Sequence, residues 1–251
     1  TTEIGAVEIE DNGMIDLTRE GDVFTLTMND GENRWNTKLV REIAAALDEV
    51  ENSAGPAAMV TTSADPKFFS NGLDLDWVQS TGQHPGGDRK VFGEEFMTLM
   101  GRLITLPVPT LCAINGHAFG AGFMMALCHD VRIMREDRGF ACANEMQLGM
   151  AIPLPELALF RHKIPMNAFY ETVQLARRWT GPDALSVGIV QQVASAENLL
   201  SLATQRAAEL APLAANREVF GNQKEAIYGE NAVINSPFGA AHMLKHSTEF
   251  R

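Results

Sequence analysis

The stretch Ile114-Asn115-Gly116-His117-Ala118-Phe119-Gly120-Ala121-Gly122 decides the fold of this chain. It follows a short apolar segment, Thr110–Ile114, that is typical of a buried strand, and it precedes residues 123–128, which are apolar and compatible with a helix. Five of the nine positions hold glycine or alanine, which allow close approach of the backbone. The stretch therefore predicts a glycine-containing turn from strand to helix, and its spacing matches neither the dinucleotide fingerprint nor a Walker loop.

Strands and helices alternate on both sides of this turn. The predicted elements are a hairpin over 14–28, helices over 37–51 and 89–106, strands over 57–62 and 131–134, helices over about 166–178 and 182–187, and a strand over 189–193. From residue 196 onward the apolar residues recur at helical spacing. This order predicts an α/β fold with crossover helices, followed by a helical C-terminal part.

Composition narrows the class of protein. The 251 residues are 45% hydrophobic, which excludes intrinsic disorder, and the net charge of −12 disfavours binding to nucleic acid or a membrane surface. Cys112, Cys128 and Cys142 are predicted to be buried free thiols of a reducing compartment, and no Cys or His pair has zinc spacing. Without a signal peptide or a run of about 20 apolar residues, the sequence favours a cytoplasmic protein.

Two further segments could carry chemistry. In residues 68–75, Gly72 allows a sharp turn before a helix that begins near Asp74, and unpaired N–H groups at such a turn can bind an anion or a developing oxyanion. In residues 144–149, Glu145 stands in an apolar setting, where a raised pKa would suit a general base. Taken alone, residues 68–75 are better explained as a plain strand-to-helix turn, and an isolated glutamate such as Glu145 is usually a surface residue.

Together the three segments resemble the enoyl-CoA hydratase/isomerase (crotonase) superfamily, over residues 21–193. The motifs are Phe69-Ser-Asn-Gly72-Leu-Asp74-Leu, then Asn115-Gly116 to Gly122 with His129-Asp130, then Gly181-Pro-Asp-Ala184 to Gly188-Ile-Val190. The resemblance implies a spiral of ββα units over 1–193 and a helical C-terminal region over 194–251 that builds a homotrimer or homohexamer.

The resemblance also implies a binding site for an acyl-CoA thioester. In this family two backbone N–H groups hold the thioester oxygen, and here they would belong to Leu73 and Ala121, where most members have glycine at the second position. The residues implied to bind substrate or CoA are Arg34, Trp35, Asn71, Gly72, Gly120 and Met124. Coenzyme A would be part of the substrate, with no separate cofactor and no metal.

The identity of the acidic residues separates the members of this superfamily. Hydratases use two glutamates, and the first aligns with Met124, which cannot ionise. The second aligns with Glu145, so we expect a Δ3,Δ2-enoyl-CoA isomerase of fatty acid metabolism with Glu145 as its sole acid/base. Another isomerase branch has its base at the position that Leu154 occupies here, so that base is missing from this chain. Glu156, two residues further on, is not expected to replace it. The alternatives are a hydratase or related enzyme, which needs a second carboxylate that the sequence does not place, and an inactive acyl-CoA-binding paralogue.

A further expectation concerns the apolar lining of this site. Met97, Met100, Phe123, Met124 and Met125 are candidates for an acyl tunnel, because methionine adapts to irregular apolar shapes. Met and Phe at helical spacing are nevertheless more often core residues.

Overall fold

Nine strands and ten α-helices alternate in the computed structural model, which describes residues 13–80, 84–229 and 239–250. The strands are β1 Ile15–Glu20, β2 Val23–Met28, β3 Ala58–Ser63, β4 Phe68–Ser70, β5 Thr110–Ile114, β6 His117–Phe119, β7 Val131–Arg135, β8 Ala141–Cys142 and β9 Gln192–Ala194. The helices are α1 Thr37–Asn52, α2 Leu75–Gln79, α3 Arg89–Ile104, α4 Ala121–Cys128, α5 Leu154–Lys163, α6 Met166–Val173, α7 Gly181–Ser186, α8 Leu199–Leu210, α9 Arg217–Tyr228 and α10 Ala240–Lys245. Short 3-10 helices cover Glu145–Leu148, Ala211–Ala214 and Ser247–Phe250.

The strands form two sheets that the chain visits in turn. The larger sheet has the order β1-β2-β3-β5-β7-β9, in which only the β1–β2 hairpin is antiparallel, and the smaller sheet has the parallel order β4-β6-β8. Each turn gives its first strand to the larger sheet and its second to the smaller one, as β3 and β4, β5 and β6, and β7 and β8 show. Helices then return the chain to the next turn. The predicted α/β fold and its ββα spiral are confirmed.

Strand β5, in the interior of the larger sheet, is buried on both faces. Within β5, Leu111 and Ala113 pack with residues of α8, whereas Cys112 and Ile114 point into the main core. Successive side chains of a strand point to opposite faces of its sheet. Because both faces of β5 are buried, its side chains are apolar on both, and Leu111–Ile114 form a continuous apolar run. All three cysteines are buried free thiols, as predicted.

Two helices begin at a polar side chain that accepts a hydrogen bond from a backbone N–H of the first turn, as is usual for an N-cap. Asn36 caps α1 by accepting the Leu39 N–H at 3.0 Å, and Asp74 caps α2 by accepting the Trp77 N–H at 3.0 Å. The second cap fixes the chain direction just after the Gly72 turn.

Several predicted boundaries were wrong. The predicted turn after β5 contains strand β6, and the predicted strand over 189–193 is instead β9, three residues later at its start. Helix α6 ends at Val173 because the chain turns away soon afterwards, with Ala176 at φ +48°. Helix α5 was not predicted, because prolines stand on both sides of its first residue, Leu154, and proline commonly interrupts a helix. Pro155 nevertheless fits here, because proline is tolerated in the first turn of a helix.

The C-terminal helices lie against the spiral. Helix α8 packs on strands of the larger sheet, and α10 packs against α3 and α5. The predicted boundary after residue 193 falls inside β9. Residues 1–12 and 81–83 of the predicted core, and residues 230–238 and 251 of the predicted C-terminal region, lie outside the described residues.

Candidate active site

The turn after β4 supplies the first of two backbone N–H groups. Gly72 has φ +78°, and the Leu73 that follows it pairs with Trp35, whose N–H donates to the Gly72 oxygen at 2.8 Å. The Asp74 N–H donates to the Trp35 oxygen at 3.0 Å. These bonds use the residues on either side of Leu73, and the Leu73 N–H itself has no acceptor within the described residues. It is therefore available to a ligand.

The turn before α4 supplies the second N–H group. Gly120, at φ +47°, donates its own N–H to the Cys142 oxygen at 3.0 Å, and Ala121 begins the helix. The Ala121 N–H has no acceptor in the described part of the chain, as is usual for the first residue of a helix. A Cβ on Gly72 would lie 4.0 Å from the Ala121 nitrogen. The two free N–H groups are thus on adjacent turns, where the positive end of the α4 dipole favours negative charge.

Glu145 lies at the same helix N-terminus. It is the first residue of the 3-10 helix that follows β8, and a Cβ on Gly120 would lie 3.1 Å from its Oε1. Its side chain is half-buried, and its Oε2 has no hydrogen-bond partner among the described residues. Burial raises the pKa of Glu145, which makes its carboxylate a stronger base than an exposed one.

A second carboxyl group faces the same cavity. Glu156, in the first turn of α5, is only 6% exposed, and within the described residues its Oε1 has no hydrogen-bond partner. Burial raises the pKa of Glu156 well above its usual range, and the negative charge of Glu145 raises it further. Sequence reasoning considered Glu156 only as a substitute base and set it aside, and it did not place Glu156 in the cavity. Its signal was its helical spacing to Leu159 and Phe160, which are also buried.

A partly open cavity of about 330 Å³ joins these groups. Eight of the nine residues singled out from the sequence line it: Arg34, Asn71, Gly72, Leu73, Gly120, Ala121, Met124 and Glu145. Apolar side chains, among them Phe92, Phe96 and Met97, make up much of the remaining wall. An apolar cavity with a few convergent polar groups is the usual form of a small-molecule site.

The structure does not bring the ninth residue, Trp35, into the cavity. Its side chain is fully buried, with its ring 4.9 Å from that of Phe96, so only its backbone contributes to the site, by pairing with Leu73. Of the predicted tunnel residues, Met97 and Met124 line the cavity. The other three lie in the core, fully buried: Met100, Phe123 and Met125.

Arg34, expected near a phosphate, already has an anionic partner. Its Nη2 lies 2.7 Å from Glu32 Oε2, and the Asn71 amide donates to the same oxygen at 2.8 Å. The hydrogen bond from Asn71, aided by Arg34, lowers the pKa of Glu32. Lys67 adds a second positive charge that acts on Glu32. Cations are therefore present at this end of the cavity, but a bound phosphate must compete with Glu32 for Arg34.

The other large hollows lack this chemistry. Two surface grooves of about 430 and 420 Å³ border α3 and are lined by many charged side chains, such as Arg41 and Arg102. Within the described ranges no cluster of His, Cys, Asp and Glu could hold a metal ion. No helix of the described chain is long and apolar enough to cross a bilayer.

Comparisons with known proteins agree with this arrangement. Residues 18–229 match the family model described as enoyl-CoA hydratase/isomerase. The chain is 33% identical over 223 residues to enoyl-CoA delta isomerase 2, peroxisomal, of Arabidopsis thaliana, covering 86% of this chain and 93% of that one. It is 29% identical to a carnitinyl-CoA dehydratase of Shigella flexneri, covering 83% of this chain and 80% of that one.

Solved structures show the same fold. Human mitochondrial delta3-delta2-enoyl-CoA isomerase superposes with a TM-score of 0.79 at 24% identity, over 94% of this chain and 88% of that one. An enoyl-CoA hydratase/isomerase family protein from Pseudomonas syringae gives a TM-score of 0.80 at 24% identity, over 94% and 95%. The family model covers most of the chain, and the described fold is the spiral of these structures. The chain belongs to the enoyl-CoA hydratase/isomerase family.

Proposed function

We propose that the protein is a Δ3,Δ2-enoyl-CoA isomerase. The observation that carries the proposal is the placing of Glu145 beside the free N–H groups of Leu73 and Ala121 in one apolar cavity. The relatives named enoyl-CoA delta isomerase support it. The substrate is an acyl-CoA thioester, so the CoA arrives as part of the substrate and no separate cofactor is needed.

The proposed reaction moves one proton. The thioester oxygen accepts hydrogen bonds from the Leu73 and Ala121 N–H groups, and the Glu145 carboxylate takes a proton from C2 of the 3-enoyl chain. The electrons shift into a dienolate whose negative charge rests on the thioester oxygen. The protonated Glu145 then returns the proton to C4, which leaves the double bond between C2 and C3. One such N–H donor typically contributes about 3 kcal/mol of transition-state stabilisation.

The test supplies purified protein with trans-3-hexenoyl-CoA and follows the product by mass spectrometry and by absorbance of the conjugated thioester. Isomerisation leaves the mass unchanged. Glu145→Gln should abolish turnover, whereas Glu136→Gln, which alters an exposed carboxylate of the β7–β8 loop, should not. If Glu145→Gln keeps the wild-type rate, the proposal fails, and an inactive acyl-CoA-binding protein would show no turnover even as wild type.

Glu156 favours one second candidate, an enoyl-CoA hydratase. Hydration needs two carboxyl groups around one water, and Glu145 and Glu156 each line the cavity with an oxygen that has no partner in the described chain. A buried water needs such polar partners. The dehydratase relative points the same way. Supplied with trans-2-hexenoyl-CoA, a hydratase adds the mass of water, and Glu156→Gln would stop that addition while sparing isomerisation.

Three related expectations remain proposals. The C-terminal helices are proposed to join subunits into a trimer or hexamer, which light scattering would measure. The cytoplasmic location remains a prediction, since two of the Arabidopsis relatives are named peroxisomal. The role in fatty acid metabolism depends on the acyl chain.

A further inference from the structure

A second hollow adjoins the active-site cavity. It measures about 400 Å³ and shares three wall residues with that cavity: Gly93, Met97 and Pro153. Beyond them it is lined mainly by apolar residues, including Ile152 and the half-exposed Leu154. The two spaces are therefore neighbours across one shared wall.

The direction of a bound substrate follows from the polarity of the cavity. Arg34 and Asn71 mark the end that suits the phosphates of CoA, and the free N–H groups of Leu73 and Ala121 would hold the thioester. The shared wall of Met97 and Pro153 carries no charge. An acyl tail that extends from the thioester, away from the charged end, would lie toward the second hollow.

Gly93 is an exposed residue of the shared wall and has no side chain. It lies in the first half of α3, where glycine is unfavourable, and a Cβ added there would meet nothing within 4 Å. No close contact with the described chain therefore requires a glycine, and its φ is not in the left-handed region. The neighbouring wall is rigid, because the rings of Phe92 and Phe96 stack at 5.5 Å and Phe96 also packs against Trp35. A side chain at position 93 would therefore project into open space at the border that the two hollows share.

We propose that the substrates are long-chain acyl-CoA thioesters, whose tails pass Gly93 into the second hollow, and that Gly93 sets the chain-length preference. The proposal rests on the proposed acyl-CoA site, and it adds the class of chain. Each further methylene buried should raise kcat/KM about fourfold. A short chain ends before the shared wall and gains nothing from the second hollow.

The experiment compares trans-3-hexenoyl-CoA with trans-3-dodecenoyl-CoA. Wild type should prefer the longer chain, and Gly93→Leu should lower the ratio of the two kcat/KM values by about 16-fold or more, as expected when at least two methylenes are excluded. Glu94→Leu is the matched control, because it adds the same side chain one position along, in the groove that faces Arg41. It should leave the ratio unchanged. Leu154→Trp fills the second hollow from its exposed side and should lower the ratio even if Gly93→Leu does not fold.

Calorimetric binding of hexanoyl-CoA and dodecanoyl-CoA separates this proposal from the proposed function. If wild type fails to isomerise either substrate but Gly93→Leu still weakens dodecanoyl-CoA selectively, the isomerase proposal fails and the chain-length proposal stands. A wild type without preference for the longer chain would overturn the chain-length proposal. So would variants that leave the ratio unchanged, or that weaken both chains equally.

Discussion

Gly120→Ala adds one methyl group where the Ala121 turn meets the proposed general base. Gly120 holds φ +47° and ψ −118°, a conformation that glycine adopts freely and alanine adopts only under strain. The added Cβ would lie 3.1 Å from Glu145 Oε1 and 3.3 Å from Asn144 Oδ1. Contacts this short are tighter than ordinary van der Waals contact, so both side chains must shift by a few tenths of an ångström.

Two magnitudes follow from this geometry. Backbone strain of this kind should lower the free energy of unfolding by about 1–3 kcal/mol. Catalytic groups must be held within about 0.5 Å of their productive positions, and a misplacement of about 1 Å can lower a rate about 100-fold. A smaller displacement of Glu145 should therefore lower kcat about 10-fold, with a smaller change in KM because the phosphate-binding end is untouched.

Urea unfolding and steady-state isomerisation of trans-3-hexenoyl-CoA measure the two effects. The control is Gly21→Ala in the β1–β2 turn, where φ is +58° and a Cβ would meet nothing within 4 Å. It carries backbone strain without touching the cavity, so it should lose stability and keep its kcat. If Gly120→Ala and Gly21→Ala have the same kcat, the position of Glu145 does not depend on Gly120, and the reasoning is refuted.

Three further predictions concern single side chains. Asn36→Ala removes the cap on the Leu39 N–H and should lower the free energy of unfolding by about 1 kcal/mol, so an unchanged urea midpoint would contradict the role of this cap. Glu32→Gln releases Arg34 from its ion pair and should lower the KM for acyl-CoA, most strongly at low salt; a KM equal to that of wild type would argue against a phosphate at Arg34. Glu156 has a pKa raised by folding, so it contributes stability at low pH that is lost as the pH rises through its folded pKa. Glu156→Gln cannot ionise, so its stability relative to wild type should increase as the pH rises above the ordinary pKa of a glutamate, and a difference that stays constant with pH would be inconsistent with a buried carboxyl group.

The alternation of strands and helices predicted the α/β fold, and the family resemblance carried by two of its turns implied the spiral. The Gly72 and Gly120 turns each follow a short strand and precede a helix. The glycine that each turn contains can be read directly from the sequence. The elements that were missed have weak local signals. Strand β6 has three residues and is held by its neighbours β4 and β8, while α5 begins between prolines.

The candidate site was predictable where function depends on the backbone. The family resemblance assigned the two N–H groups to Leu73 and Ala121, and these residues directly follow the Gly72 and Gly120 turns. Glu156 and Trp35 show the limit, because burial against distant elements decides what a side chain faces. Glu156 reaches the cavity from α5, and the Trp35 ring packs away from it against Phe96 of α3. The helical spacing of Glu156 to Leu159 and Phe160 indicates a buried face, but it does not show which cavity that face borders.

The burial of Glu156 also bears on how this acidic protein could stabilise the negative charge of the proposed dienolate. Glu145 is the less buried of the two carboxyl groups and ionises first, and its charge then opposes the ionisation of Glu156. The charge on Glu145 therefore disfavours a second negative charge in this part of the cavity wall. In the proposed reaction that charge moves from Glu145 to the thioester oxygen, beside the Leu73 and Ala121 N–H groups, so the total does not change. Because those donors are neutral, they can stabilise the transferred charge whatever the net charge of −12 at the surface.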